Sequence, residues 1–218
     1  MCGRYALVDT ELLAERYGVE YPLLGLTANY NVAPGVEMPT ISKNSPNQAI
    51  LRKWGLVPFW SKDPKIGYKM INARAETIAE KPSFKNALKS RRCIVPASGF
   101  YEWRMEAGAK TPYFFKPEQD TLFSFAGLYE TWRGPDETVI NSYTIITTQA
   151  NDLTRSYHER MPVILAREDE ETWLDVQTPL VAIMSLLKPY IASEMAVYQV
   201  SVEVNSVKNN HPGLIEPA

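Results

Sequence analysis

Residues 92–116 read RCIVPASGFYEWRMEAGAKTPYFFK. Residues 92–95 and 100–105 of this stretch are rich in β-branched and aromatic side chains and predict strands. Glu106-Ala107-Gly108-Ala109-Lys110 supplies the small residues of a hairpin turn, and residues 113–116 predict the returning strand. Residues 122–132 and 142–148 continue in the same style, again dominated by aromatic and β-branched side chains. Strands follow one another here with no helix between them. Regular βαβ alternation is therefore absent, and the fold class expected is α+β, with a mainly antiparallel sheet or barrel-like core and a few short helices.

Working outward, residues 48–57 predict a strand ending at Pro58, and residues 59–70 a loop punctuated by Pro64 and Gly67. Residues 21–47 are rich in Pro, Gly and Asn and read mostly as loop. Asp9 is placed to cap a helix over residues 10–17 that stops at Gly18, and Ser83 to cap a second helix carrying Phe84 and Leu88. Beyond the strand-rich centre, residues 151–157 predict a short helix and 161–165 a strand. Residues 167–174 and 180–187 predict helices, and 196–202 a last strand. With no repeat, low-complexity tract or long linker, residues 1–218 are expected to form a single domain.

Composition narrows the function classes. Only 2 Cys exclude a disulfide framework, and only 2 His argue against a His-rich metal site, so no metal or cofactor is expected. No apolar run approaches the ~18 residues of a membrane span, and MCGRYALVDT lacks the apolar stretch of a secretory signal. A soluble, cytoplasmic and reducing setting is expected, nucleoid-associated if the source is bacterial. Nothing in the sequence marks a partner surface, so a monomer is expected. The net charge of −2 hides an asymmetry: residues 52–110 hold 13 Lys and Arg against 5 Asp and Glu. A basic block in an acidic chain suits an anionic partner such as nucleic acid, although a solvated mixed face gives the same count.

Several residues carry chemistry. Methionine is commonly trimmed before a small residue, and Cys2 would then begin the chain with a free α-amine and a thiol. Their reference pKa values, ~8 and ~8.5, leave both partly nucleophilic near neutrality. A 1,2-aminothiol converts an aldehyde first to a Schiff base and then to a five-membered thiazolidine, the second step gaining from proximity. Gly3 permits close approach, and Arg4 sets a phosphate-binding cation beside the nucleophile. Cys93, in an apolar run, reads as a buried small hydrophobe. His158 follows the helix predicted at 151–157 and suits acid–base work, or a polar surface position. Glu102, flanked by Tyr101 and Trp103, is either a carboxyl with a raised pKa and a proton-shuttling role or an outward residue of a half-buried strand. Asn72 suits a sugar or phosphate oxygen and Arg74 a phosphate fork, while Trp54, Phe59 and Trp60 offer stacking faces or core.

Together these pieces resemble the SRAP family, named for SOS-response-associated peptidase. The carrying motifs are Met1-Cys2-Gly3-Arg4-Tyr5, Tyr30-Asn31-Val32-Ala33-Pro34-Gly35, Trp54-Gly55-Leu56-Val57-Pro58 and Ile71-Asn72-Ala73-Arg74-Ala75-Glu76-Thr77. The run 92–103, His158-Glu159-Arg160-Met161-Pro162 and Val204-Asn205-Ser206-Val207-Lys208-Asn209 complete the set, in the family's order from residue 2 to about 209. The resemblance implies recognition of abasic sites in single-stranded DNA during the DNA damage response. It also implies capture of the ring-opened aldehyde by Cys2 as a thiazolidine that shields the lesion from strand cleavage. Asn72 would hold the lesion sugar, and Glu102 and His158 would shuttle protons. Arg74 and Arg160 would bind backbone phosphates, Arg4 and Asn31 would line the pocket, and Phe59 and Trp60 would lie beside the DNA. The family's peptidase activity, with a possible lyase side activity, would here have only Met1 to remove. Two other readings remain open on the residues: an N-terminal-Cys hydrolase cleaving amides, and a non-covalent binder of modified single-stranded DNA.

Overall fold

Residues 2–20, 26–45, 47–106 and 108–218 are described by the structure, a computed structural model. The described strands are β1 (Tyr5–Leu7), β2 (Asn29–Val32), β3 (Glu37–Ile41), β4 (Ala49–Trp54), β5 (Asn72–Arg74), β6 (Arg92–Ala97) and β7 (Gly99–Glu106). They continue as β8 (Ala109–Pro117), β9 (Phe123–Arg133), β10 (Val139–Gln149), β11 (Arg160–Pro162), β12 (Ile164–Leu165) and β13 (Met195–Gln199). The helices are short: α1 (Leu13–Tyr17), α2 (Lys85–Ser90), α3 (Glu170–Leu174) and α4 (Leu180–Ser185).

Strand β10 pairs with β4, β4 with β3, β3 with β6, β6 with β9, and β9 returns to β10, closing a five-stranded barrel. A ring with an odd number of strands cannot alternate direction all the way round, so one pairing must be parallel. It is β4–β10, with Lys53 beside Ser142 and Trp54 beside Tyr143. A second, wholly antiparallel sheet runs β13-β8-β7-β1-β2. Alternation along β7 and β8 feeds two cores. Phe100 and Phe115 face the large cluster that includes Trp54, Cys93, Phe125 and Tyr143, while Tyr101 and Phe114 face a smaller one with Val200, Val204 and Leu214. Gly99 makes this possible, since a Cβ there would stand 2.0 Å from the Phe114 ring.

The strand-rich centre forms as its sequence predicts, each strand extending slightly past its signal. The hairpin turn places Glu106 opposite Ala109, with Gly108 at φ +83°, and Ala107 lies outside the described residues. Gly18, at φ +64°, ends α1. Other expectations are corrected. The region 21–47, read as loop, contains β2 and β3 (residues 21–25 and 46 lie outside the described residues). Pro34 and Gly35 punctuate two strands too short to register as such. Residues 151–157 form only a single tight turn, Thr154–Ser156, because the Asn151 side chain accepts from Thr154 N at 2.9 Å and holds an Asx-type turn. The strand expected at 161–165 breaks at Val163 as the chain switches partners from β10 to β9. Neither expected cap bond forms: Asp9 instead accepts from Ser98 Oγ, and Phe84 rather than Ser83 occupies the α2 cap.

The basic block is partly structural. The buried Arg52 donates to Thr40 Oγ1 and lies 4.0 Å from the Tyr129 ring. Arg92, also buried, donates to the carbonyls of Leu88, Trp173 and Asp175. Arg91 pairs with Glu130 at 3.0 Å. These three cations hold the frame and do not face an external anion. Among the described residues no helix is long and apolar enough to cross a membrane.

Candidate active site around Cys2

The site forms where β10 leaves the barrel. Past its pairing with β4, the same edge of β10 takes up β5 in parallel, setting Ile145 beside Asn72 and Thr147 beside Arg74. The opposite edge takes up β11. Asn72, first residue of β5, donates from Nδ2 to the Cys2 carbonyl at 2.7 Å. Its Oδ1 is buried and has no hydrogen-bond partner among the described residues. Cys2 itself is fully buried just ahead of β1. The β1–β7 ladder pairs Tyr5 with Phe100 and continues through Tyr101 N to Arg4 O at 3.0 Å, which brings Glu102 alongside the first residues of the chain. His158 closes the group from the turn before β11. Its Nδ1 lies 3.0 Å from Arg160 N and 3.2 Å from Arg160 O, which fixes the ring against the start of β11.

Burial pushes the Cys2 thiol up, and the Glu102 charge adds to the effect, so the resting species is the thiol. Burial also raises the Glu102 carboxyl. The charge of the amino terminus and that of His158 pull against it without reversing the shift. A carboxyl so placed keeps its proton to higher pH than an exposed one and is suited to deliver it. Cys2, Asn72, Glu102 and His158 are therefore one neighbourhood, assembled from four separate parts of the chain.

The six residues expected beside DNA divide. Arg74, Phe59 and Trp60 are exposed. Arg160 is engaged internally: its two terminal nitrogens meet both Glu76 carboxylate oxygens at 3.1 and 2.9 Å, Nε donates to Thr147 Oγ1, and Nη2 donates to Thr147 O as well as to Glu76. Arg4 donates to Asn31 Oδ1 at 2.5 Å and to Val204 O at 2.9 Å. Asn31 Nδ2 donates to the carbonyls of Ser206 and Asn209, both at 2.9 Å. These two residues fasten the segment 204–209 across β1 and β2. Sequence reasoning missed the buried Tyr5–Tyr143 hydroxyl pair at 2.8 Å and the Glu76 partner of Arg160. Each joins residues far apart in sequence, and no local pattern announces it. A cavity of about 590 Å³ lies elsewhere, between the 117–123 connection and residues 164–169 and 186–194. Its arginines are already paired, Arg16 with Glu170 and Arg167 with Asp120. No group of three His, Cys, Asp or Glu among the described residues is placed to hold a metal ion.

A closed barrel flanked by an antiparallel sheet, with a buried cysteine at position 2 clamped by an asparagine and facing a glutamate, defines a recognisable class. The chain belongs to the SOS response associated peptidase (SRAP) family, whose profile matches residues 1–207. It is 47% identical over 222 residues to the abasic site processing protein YoqW of Bacillus subtilis, covering 99% of each chain. It is 37% identical to the abasic site processing protein HMCES of Gallus gallus, over 76% of this chain and 56% of that one. Its fold matches the crystal structure of a protein from Bacteroides thetaiotaomicron with a TM-score of 0.93, at 33% identity and with both chains fully covered.

Proposed function

We propose that this protein captures abasic sites in single-stranded DNA as a covalent thiazolidine through Cys2, after removal of Met1. The observation that carries the reading is the clamp on Cys2: its carbonyl is held by Asn72 at 2.7 Å while a protonatable Glu102 stands beside it. Family membership and the names of the relatives support abasic DNA as the target.

The steps follow from these groups. The Cys2 amine adds to the ring-opened aldehyde to give a carbinolamine. Glu102 delivers its proton to the carbinolamine hydroxyl, water leaves and an iminium forms. The Glu102 carboxylate then takes the thiol proton as sulfur bonds to the iminium carbon, closing the ring and restoring the protonated carboxyl. One water is released overall, and no other co-reactant is needed. Ring closure removes the C=N bond whose electron-withdrawing pull would promote strand cleavage. Because the thiol pKa is raised, sulfur needs a base at that moment, and the newly ionised Glu102 is that base. Asn72 Oδ1, buried and open to a donor, suits a sugar hydroxyl. The charge of a protonated His158 would favour the ionised Glu102 and so assist proton transfer there. Arg74 serves phosphate, and Phe59 and Trp60 serve exposed bases.

The test mixes mature protein, its N-terminus verified by mass spectrometry, with a single strand carrying one abasic site. A heat-stable conjugate is expected without borohydride. Cys2→Ala retains an amine and should give only an imine that borohydride traps, with strand cleavage. A conjugate of wild-type stability from Cys2→Ala would rule out the thiazolidine, and no conjugate from wild type would rule out covalent capture.

A further inference from the structure

A second cleft lies across Trp54 from Asn72. It has a volume of about 200 Å³ and is lined by Lys53, Trp54, Gly55, Pro64, Lys65 and Tyr68, among others. It is smaller than the ~300–1,000 Å³ of typical enclosed small-molecule sites, which suits one planar ring laid against a wall. Tyr68 supplies such a wall: it is 63% exposed, unusual for a tyrosine, and its ring edge rests over Gly35. Lys53 Nζ lies 5.7 Å from the ring centre. No carboxylate lines the cleft. Asp63 is turned to its own backbone, accepting from Lys65 N at 2.9 Å, and Glu37, opposite Lys53 in the β3–β4 register, forms no ion pair with it among the described residues. Lys62 and Lys69, close in sequence to the lining residues Pro64 and Tyr68, are exposed.

The cleft is fixed rather than incidental. Gly55, at φ +124°, sits so close to Gly67 that a Cβ would stand 2.6 Å from the Gly67 carbonyl oxygen. The 64–69 turn carrying Tyr68 is thereby pinned against the barrel edge. Trp54 joins this cleft to the Cys2 site. Trp54 is among the residues that line the cleft, and its Nε1 donates to Ile71 O at 2.8 Å, next to Asn72.

From this arrangement we infer that the Tyr68 cleft binds a nucleotide flanking the lesion, its base stacked on Tyr68 and its phosphate met by Lys53 and Lys65. The inference rests on the single-stranded DNA reading of the Cys2 site. Exposed aromatic faces interleaved with unpaired cations are what sequence-tolerant single-strand binding requires.

The test uses labelled single strands carrying a tetrahydrofuran analogue of the abasic sugar, which has no aldehyde, so binding is measured without covalent chemistry. One strand has long flanks on both sides, and two others are cut back to a single nucleotide on one side or the other. Tyr68→Ala should weaken binding of the long strand about tenfold. It should change nothing for the strand whose truncation empties the cleft, and Tyr68→Trp should restore the long-strand affinity. Equal affinities of wild type and Tyr68→Ala for every strand would overturn the inference, as would an equal loss on all three. If the flank-dependent loss is found while an aldehyde strand forms no heat-stable conjugate, covalent capture fails and the cleft stands. If wild type binds none of the strands, both fall.

Discussion

Strand β10 passes through two regions that differ in kind, and each contains a buried cysteine. Residues 139–145 of β10 are paired on one side to β9 inside the closed barrel, where Cys93 lies in β6. Residues 145–149 emerge at the margin, where β5 and β11 bring Asn72 and the approach to His158 beside Cys2. Both thiols are fully buried, and burial raises both, Cys93 to about 12. Burial therefore does not distinguish them. The neighbours do. Cys93 Sγ packs 3.1 Å from where a Cβ on Gly127 would stand, and Arg52 is the one charge that pulls its thiol down. Cys2 has an asparagine on its carbonyl and a proton-holding glutamate beside its sulfur. A buried thiol acquires chemistry from groups that move protons, and the margin of the barrel has them.

The sharpest way to break this comparison is to truncate each thiol. Cys2→Ala should abolish the heat-stable conjugate while leaving thermal stability within a few degrees. Cys93→Ala should leave the conjugate intact and cost about 1–3 kcal/mol of stability, since it opens a void in a close-packed core. Conjugate yield and urea melts on both variants decide it. Loss of conjugate from a folded Cys93→Ala protein would mean that the barrel thiol takes part.

Glu102→Gln gives the next largest effect. Removing the proton donor should slow conjugate formation about 10²-fold, and reversal with it. Stability should move the other way. Burial raises the folded-state pKa of this carboxyl above its unfolded value, so the folded chain holds that proton more tightly. Its contribution is full below the unfolded-state carboxyl range and is lost as pH rises through the folded value. Glu102→Gln should therefore lose less stability than wild type as pH is raised across that window. Parallel stability–pH curves for the two proteins would show that Glu102 is not held above its unfolded pKa.

A smaller effect concerns what the sequence could and could not reveal. The central strands were legible because period-2 patterning and the 106–110 turn are local signals. Cys2, Asn72, Glu102 and His158 were legible as chemistry-bearing residue types within recognisable motifs. Their convergence was not, because it depends on which edge of β10 accepts β5 and on the β1–β7 register. Strands β1, β2, β3 and β5 escaped notice because three to five residues carry too little periodicity. Arg4 and Asn31 show the same limit: no local pattern announces that these two also hold the 204–209 segment. Asn31→Ala strands buried carbonyls and the Arg4 guanidinium, and should cost about 1–3 kcal/mol. Affinity of the folded variant for single-stranded DNA should be unchanged. A weaker affinity at full stability would return Asn31 to the DNA surface.

The smallest effect separates the exposed arginine of the margin from the engaged one. Arg74 is exposed on the last residue of β5, and no hydrogen bond holds it among the described residues, whereas Arg160 is tied to Glu76 and Thr147. A cation free to meet phosphate releases counterions on binding, and one already paired must first give up its partner. Arg74→Ala should therefore lower the slope of log affinity against log salt by about 0.7–1 and leave the melting temperature alone. Arg160→Ala should change the slope less and stability more: burial pushes the Glu76 carboxyl up, and the Arg160 hydrogen bonds and charge, joined by a backbone hydrogen bond and Arg74, together bring it below the usual range. That stabilisation is present above the unfolded carboxyl range and is lost as pH falls through the folded value, so the Arg160→Ala defect should shrink in acid. An equal salt slope for both variants would mean that the Glu76 clamp opens on DNA and that Arg160 reaches phosphate after all.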